Sequence, residues 1–320
     1  MLPLRLPNRW IAVTGMIRSG TTFLGKVLSL PYDVAYLHEP FNGGASRADG
    51  QPFRSRYVRL RSNDCATDEY RRHLSNIFHL NLAPPTTRRP RDSVVRRVGK
   101  HIVGSRGPVH LALARISPLN RIGVLKDPTC KLTLAYLHQE FGVRPVIVVR
   151  HPASLAASLK RVGWWPEMKD FTDQPELIED FFSDEPEFLH RSWPSPLHEA
   201  MAHWRATHKV LLAQANQYED WILLTHEDVS AQPLSVFRCL YDDLDLSWSP
   251  RIERRIRQMT RSRNTTEASG DQAMDLQRDS ASIFRHRRDS LPLTERREIY
   301  DIVADVALQF YSEKSFALDG

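Results

Sequence analysis

The sequence predicts an α/β protein, a central and mostly parallel sheet flanked by helices in three layers. Three observations predict it. Short apolar runs alternate with helical patterns along most of the 320 residues. Those runs are continuous rather than alternating, as expected of strands covered on both faces. The first run passes at once into a glycine-bearing turn and then a helix, the opening of a βα unit. Composition agrees, with 41% hydrophobic and 26% charged residues, ordinary for a globular chain long enough to bury a large core.

Taken in order, Trp10 to Thr14 reads as a buried strand, Gly15 to Gly20 as a turn, and Thr21 to Leu30 as a helix stopped by Pro31. Val34 to Leu37 is a second short strand, ending at His38-Glu39-Pro40. Residues 42–67 are polar and irregular. Tyr70, Leu74, Ile77 and Phe78 give helical spacing over Asp68 to Asn81. Residues 84–107 hold three prolines and seven Arg or Lys against one Asp. This stretch reads as an exposed, irregular basic insertion, either plainly solvated or in contact with an anionic acceptor. Alternation then resumes. Ile122 to Lys126 is a strand and Thr129 to Phe141 a helix; Val146 to Arg150 is a strand and Ala153 to Val162 a helix. Ser195 to Gln217 is a long helix, Trp221 to Thr225 a strand, and Pro233 to Asp243 a helix. Arg251 to Arg263 is a basic helix face at the surface, and the final helix runs from Leu293 to Tyr311. No internal repeat is present. The expected organisation is one domain over residues 1–320, carrying the basic insertion at about 84–107.

The formal charge is +6 and the pI about 9.3, which suits anionic ligands without choosing among them. No run approaches the roughly 18 apolar residues that span a bilayer, and no signal peptide is expected. Cys65, Cys130 and Cys239 are odd in number and widely spaced, so free thiols in a reducing cytoplasm are expected. No zinc pattern or other metal cluster stands out. No helix-turn-helix or RNP pattern points to nucleic acid.

The strongest local signal is Gly15-Met16-Ile17-Arg18-Ser19-Gly20-Thr21-Thr22 between strand and helix. Glycines let backbone N–H groups turn inward around an anion, and the helix N-terminus adds its positive end. The spacing matches the nucleotide loop GxxxxGK[ST] except that Thr21 stands in place of lysine. The expected fold is therefore P-loop-like. Without that lysine, triphosphate chemistry is poorly served. Arg18, inside the loop, instead offers a guanidinium to a phosphate and to charge on its leaving oxygen.

Ile17 to Leu24 resembles the 5′-phosphosulfate loop of the sulfotransferases that use 3′-phosphoadenosine-5′-phosphosulfate (PAPS). Arginine at position 18 is similar to the carbohydrate and tyrosylprotein branches. Val146 to Pro152, followed by Ser158 eight residues after Arg150, resembles the family's 3′-phosphate motif. Arg150 falls at the carboxyl end of a strand, where ligands bind in open α/β sheets, and Pro152 suits the first turn of a helix. The resemblance implies PAPS as co-substrate, PAP as product, no metal, and a hydroxyl-bearing acceptor. It implies cofactor binding by Arg18, Ser19, Gly20, Thr21, Thr22, Phe23, Arg150, Ser158 and Arg285. Glu39, 21 residues after Arg18, resembles the family's general base, with His38 as rival. Lys126 in Lys126-Asp127-Pro128 resembles the lysine that contacts the transferring group. Ser282 to Arg285 resembles the segment that closes over the cofactor, with Phe284 where the family has tryptophan. Arg18, Glu39, Lys126 and Ser282 are thus the implied catalytic residues. Glu227-Asp228 resembles a Tyr-Glu-Asp segment and is expected to cap the turn that follows. Trp164-Trp165 either lines the acceptor site or packs in the core or at its rim.

Arg18 and Glu39 tilt the expected acceptor toward a sugar hydroxyl on a glycan, glycolipid or glycosylated metabolite. A phenolic or lipid hydroxyl is the first alternative. A P-loop kinase or other phosphotransferase, and a non-catalytic module that binds a nucleotide or polyanion, are the others. Oligomeric state and regiochemistry are not encoded in any motif.

Overall fold

The computed structural model describes residues 6–41, 57–61, 67–81, 106–260 and 290–318. Cys65, the basic stretch from 84 to 105, and Ser282 to Arg285 lie outside them. In chain order the elements are β1 (Arg9–Gly15), α1 (Thr21–Leu28), β2 (Val34–His38), α2 (Thr67–Phe78), α3 (Arg106–Ile116), β3 (Ile122–Lys126), α4 (Leu134–Phe141), β4 (Val143–Val149) and α5 (Pro152–Val162). Then follow three short helices, α6 (Lys169–Thr172), α7 (Pro175–Phe181) and α8 (Pro186–His190). The long α9 (Pro196–Ala215), β5 (Ile222–Thr225), α10 (His226–Ala231), α11 (Pro233–Asp243), α12 (Pro250–Thr260) and α13 (Leu293–Ala307) come next, and a 3₁₀ turn, Glu313–Phe316, is last. The strand order is β2-β3-β1-β4-β5, with β1 and β2 each pairing parallel to β3. The expected α/β fold with a central parallel sheet flanked by helices is what the chain forms.

The chain divides into two compact bodies. One comprises Met1–Thr14 and Leu24–Val146, the other Gly15–Phe23 and Ile147–Gly320. In the first, Ile11, Ala12 and Val13 of β1, Ala35 and Leu37 of β2, and Val124 and Leu125 of β3 are all buried. β-branched and small apolar residues suit such doubly covered strands. The Trp10 ring lies over Gly123, where an added Cβ would stand 2.3 Å from it, and meets Phe78 edge-on at 5.3 Å. Helix α3 packs on β2.

In the second body α9 packs on α5 and α13, and α13 on α5. Leu155, Leu159, Trp204, Leu211, Ile299 and Val303 of these helices are buried. Ser195 caps α9 by accepting the His198 N–H, and Pro152 occupies the first turn of α5 as expected. Helix α12 buries Ile252, Ile256 and Met259 and turns its arginines outward. Among the described residues no helix is long and apolar enough to cross a membrane.

Two local expectations are corrected. The helix expected over Thr129 to Phe141 is a 3₁₀ turn, Cys130–Leu132, followed by α4. Side chains compete with the helical ladder there. Thr129 donates both its N–H (2.8 Å) and its hydroxyl (2.6 Å) to Asp127 Oδ1, and Thr133 Oγ1 donates to Val58 O at 2.6 Å. The basic insertion does not run to 107, since residues 106 and 107 open α3. That helix was invisible to periodicity because it is apolar on both sides: Leu111 and Ala114 are buried, while Leu113 and Ile116 are exposed.

Candidate active site

The loop Gly15–Phe23 lies in the second body. Its shape depends on conformations most residues avoid. Arg18 has φ 69° and Gly20 has φ 93°, in the left-handed region that costs a non-glycine residue energy. The turn closes with Ser19 N–H donating to Met16 O (3.1 Å) and Phe23 N–H to Gly20 O (3.0 Å). The Ser19 amide is therefore engaged within the loop. A Cβ on Gly20 would come within 2.6 Å of His226 Nδ1, so the ring of α10's first residue stands directly against the loop. Thr21 begins α1. The Phe23 ring packs edge-on to Phe237 at 5.6 Å.

Arg150 follows β4 and is 2% exposed. Its Nη1 donates to the Arg18 carbonyl at 2.6 Å, while Nε and Nη2 donate to Ser154 Oγ at 3.3 and 3.0 Å. The Arg150 carbonyl in turn accepts from Trp204 Nε1 at 3.0 Å. Arg18 Nε points to Ser158 Oγ at 3.4 Å. The two arginine motifs, 132 residues apart, thus meet in one place. Ser154 and Ser158 lie on one face of α5, as residues four apart must. Ser154 went unremarked in the sequence, although its i, i+4 relation to Arg150 and Ser158 was there to read. Trp164, 47% exposed, has its ring centre 5.8 Å from the Arg18 guanidinium.

The acidic cluster lies in the first body. The parallel register pairs His38 with Lys126, and one further bond, Glu39 N–H to Lys126 O at 2.8 Å, carries the ladder past the strand end. Glu39 adopts φ 52°, and its carboxylate accepts from Lys126 Nζ, a lysine whose side chain is 3% exposed. Asp127, fully buried, accepts from Phe41 N–H at 2.7 Å and from Thr129. It ties down the chain two residues beyond Glu39. Burial first, and the Glu39 charge second, push the Asp127 carboxyl up to about 6, against the pull of its donors. Sequence reasoning gave Asp127 no role. His38 receives or donates a bond with the Tyr36 hydroxyl at Nδ1 (3.1 Å) and stands 4.0 Å from Glu39. Burial, then Lys126, lower it to about 4, so it is neutral near pH 7.

Of the Glu227-Asp228 pair expected at the cap, Asp228 takes part in it, accepting from the Thr225 hydroxyl at 2.6 Å, and Glu227 does not. Thr225 caps α10, accepting the Asp228 N–H at 3.0 Å. Glu227 instead accepts from the His151 N–H and the Tyr311 hydroxyl. Neither Tyr311 nor Trp204 carried any signal in the sequence.

Several solved structures are similar to this one. The sulfotransferase domain from the curacin biosynthetic pathway shares 16% identity over 96% of this chain and 99% of that one, with a TM-score of 0.48. The sulfotransferase domain of the Synechococcus PCC 7002 olefin synthase shares 14% over 98% of each, with a TM-score of 0.44. A retinol dehydratase complexed with retinol and PAP shares 15% over 97% of this chain and 84% of that one, with a TM-score of 0.44. No curated protein sequence matches. Residues 11–250, more than half of the chain, match the model of the sulfotransferase family, and the protein belongs to that family of PAPS-dependent enzymes.

Proposed function

We propose that this protein transfers a sulfuryl group from PAPS to a sugar hydroxyl, with Glu39 as general base. The observation that carries the reading is the meeting of Arg18 with Arg150 and Ser158. Two arginines brought into one place suit a ligand with two phosphate groups, because a guanidinium fork can take two oxygens of an anion. The local detail fits such a ligand. Ser19 Oγ is buried and has no hydrogen-bond partner among the described residues, which leaves a hydroxyl for an anion in the loop.

PAPS, when bound, supplies an activated sulfuryl group on a phosphate leaving group. In this reading Arg150, Ser154 and Ser158 hold the 3′-phosphate, and Ser19, Thr21 and Thr22 hold the 5′-phosphate. Arg18 meets the charge that develops on leaving. Lys126 balances negative charge beside Glu39 and orients its carboxylate. Glu39 then accepts the acceptor's proton. Ser282 and Arg285 keep the roles their motif implies. The exposed Trp164 ring beside Arg18 supports a saccharide acceptor, since sugars lay their C–H faces on aromatic rings. The family match runs through both bodies, which supports one domain over the whole chain. Two free cysteines among the described residues, Cys130 and Cys239, agree with action in the cytoplasm.

The test is transfer of label from [³⁵S]PAPS to a panel of mono- and oligosaccharides, phenols and sterols. The reading requires labelled saccharide, and its loss when Trp164 is changed to Ala. Labelling confined to phenols or sterols would replace the sugar acceptor while leaving the reaction class in place.

A further inference from the structure

The chain after α13 folds against the residue that follows Arg150. His151 is fully buried. Its N–H donates to Glu227 at 3.2 Å, and its Nε2 lies 3.1 Å from Ser315 Oγ. Its ring packs against Tyr311, centres 4.8 Å apart, and Phe316, 4.4 Å apart. The Tyr311 hydroxyl donates to the second Glu227 oxygen at 2.8 Å. Both oxygens of Glu227 are thus engaged, one by the backbone next to Arg150 and one by the C-terminal segment.

Burial holds the Glu227 carboxyl above its ordinary range, while Arg150, Tyr311 and the His151 N–H oppose that rise. Tyr311 is raised as well, first by burial and then by Glu227. A carboxylate kept in so unfavourable a place, within the field of Arg150, does more than close a turn. Thr225 and Asp228 already cap α10. Arg150 is held from the other side through Trp204 on its carbonyl. With Glu227 on the next amide, the peptide that carries Arg150 is fixed at both its oxygen and the N–H beside it.

We propose that Glu227, itself held by Tyr311, is a positioning residue that sets Arg150 for the nucleotide's phosphate. The proposal rests on the PAPS reading above. It makes the C-terminal segment, remote in sequence from both arginine loops, part of the cofactor machinery. Tyr311 is the cleaner handle, because removing its hydroxyl changes no charge.

The test uses the full chain and two probes. Calorimetry measures PAP binding to the parent, Tyr311→Phe, Glu227→Gln and the double variant. The ¹⁵N signal of the Arg150 Nε–H, assigned through Arg150→Lys, reports the arginine's placement without any ligand. Each single variant is expected to weaken PAP binding by about tenfold, the loss typical of a charge-linked hydrogen bond. The double variant should lose little more, because the two side chains act through one contact. The Arg150 Nε–H should exchange faster in both. A purely structural role would lower the melting temperature and leave the affinity of the folded protein unchanged. That result, or tighter PAP binding by Glu227→Gln, overturns the proposal. If the parent itself does not bind PAP, the functional reading fails, and the Arg150 signal still decides: an unaltered resonance in Tyr311→Phe and Glu227→Gln overturns the positioning role.

Discussion

Arg18 and Glu39 share an uncommon property. Both are non-glycine residues in the left-handed backbone region, at φ 69° and 52°. Such a conformation costs about 1–3 kcal/mol and persists where the surroundings enforce it, most often at functional sites. Here the enforcing bonds are visible: Arg150 on the Arg18 carbonyl, and Lys126 on the Glu39 amide and carboxylate. Glu39→Gln keeps the shape and removes the carboxylate proposed as base. It should lower kcat by about 10²-fold or more while PAP affinity, measured by calorimetry, stays near the parent's. Loss of PAP binding with kcat unchanged would exclude Glu39 as base. His38 gives a pH prediction. Its folded pKa of about 4 lies below its ordinary 6.5, so the unfolded chain takes the proton first as pH falls. The stability it contributes is fully present above pH 6.5 and is lost between 6.5 and 4. Its imidazole C–H resonances should therefore stay fixed from pH 8 to 5. A midpoint near 6.5 would contradict the buried, neutral ring.

At the scale of elements, the loop Gly15–Phe23 and the end of β4 bring Arg18, Arg150 and Ser158 together in one body, and the ends of β2 and β3 bring Glu39 to Lys126 in the other. The strand–loop–helix of β1 and α1 was legible because Gly15, Gly20 and Thr21 mark a tight turn by residue type alone. The end of β4 was legible because Arg150 and Pro152 fall at a strand-to-helix junction. The break before α4 was not legible. It depends on Asp127 and Thr133 bonding to the backbone, and nothing in their spacing distinguishes that from an ordinary helix start. Asp127 itself was passed over because its partners, Phe41 and Thr129, are named only by the fold. The loop gives a sharp mutational test. Gly20→Ala places a methyl group 2.6 Å from His226 at a φ that alanine avoids. The expected result is a loss of PAP affinity of about tenfold or more, since strain and displacement together cost roughly 1–3 kcal/mol. Gly20→Ala/His226→Ala should recover part of it. An unaltered affinity in Gly20→Ala would mean that the loop does not hold the anion.

At the scale of the molecule, sequence alternation gave the fold class, and the strand order β2-β3-β1-β4-β5 came only from the structure. Apolar runs say that strands are buried, but not which strands are neighbours. The same limit applies to the site. The arginine motifs could be read separately, yet their contact joins positions 132 residues apart, and Tyr311 reaches Glu227 from 84 residues further along the chain. Membership of the sulfotransferase family fixes the reaction class, and the central claim is that Arg18 and Arg150 form a cradle for a nucleotide with two separate phosphate groups. Calorimetric binding of PAP against ATP·Mg, for the parent and for Arg150→Ala, tests it most directly. The account predicts that PAP binds well, that ATP·Mg does not, and that Arg150→Ala weakens PAP by roughly 2 kcal/mol, the usual cost of a lost charge-assisted contact. Binding of ATP·Mg without PAP, or PAP binding indifferent to Arg150, would contradict it.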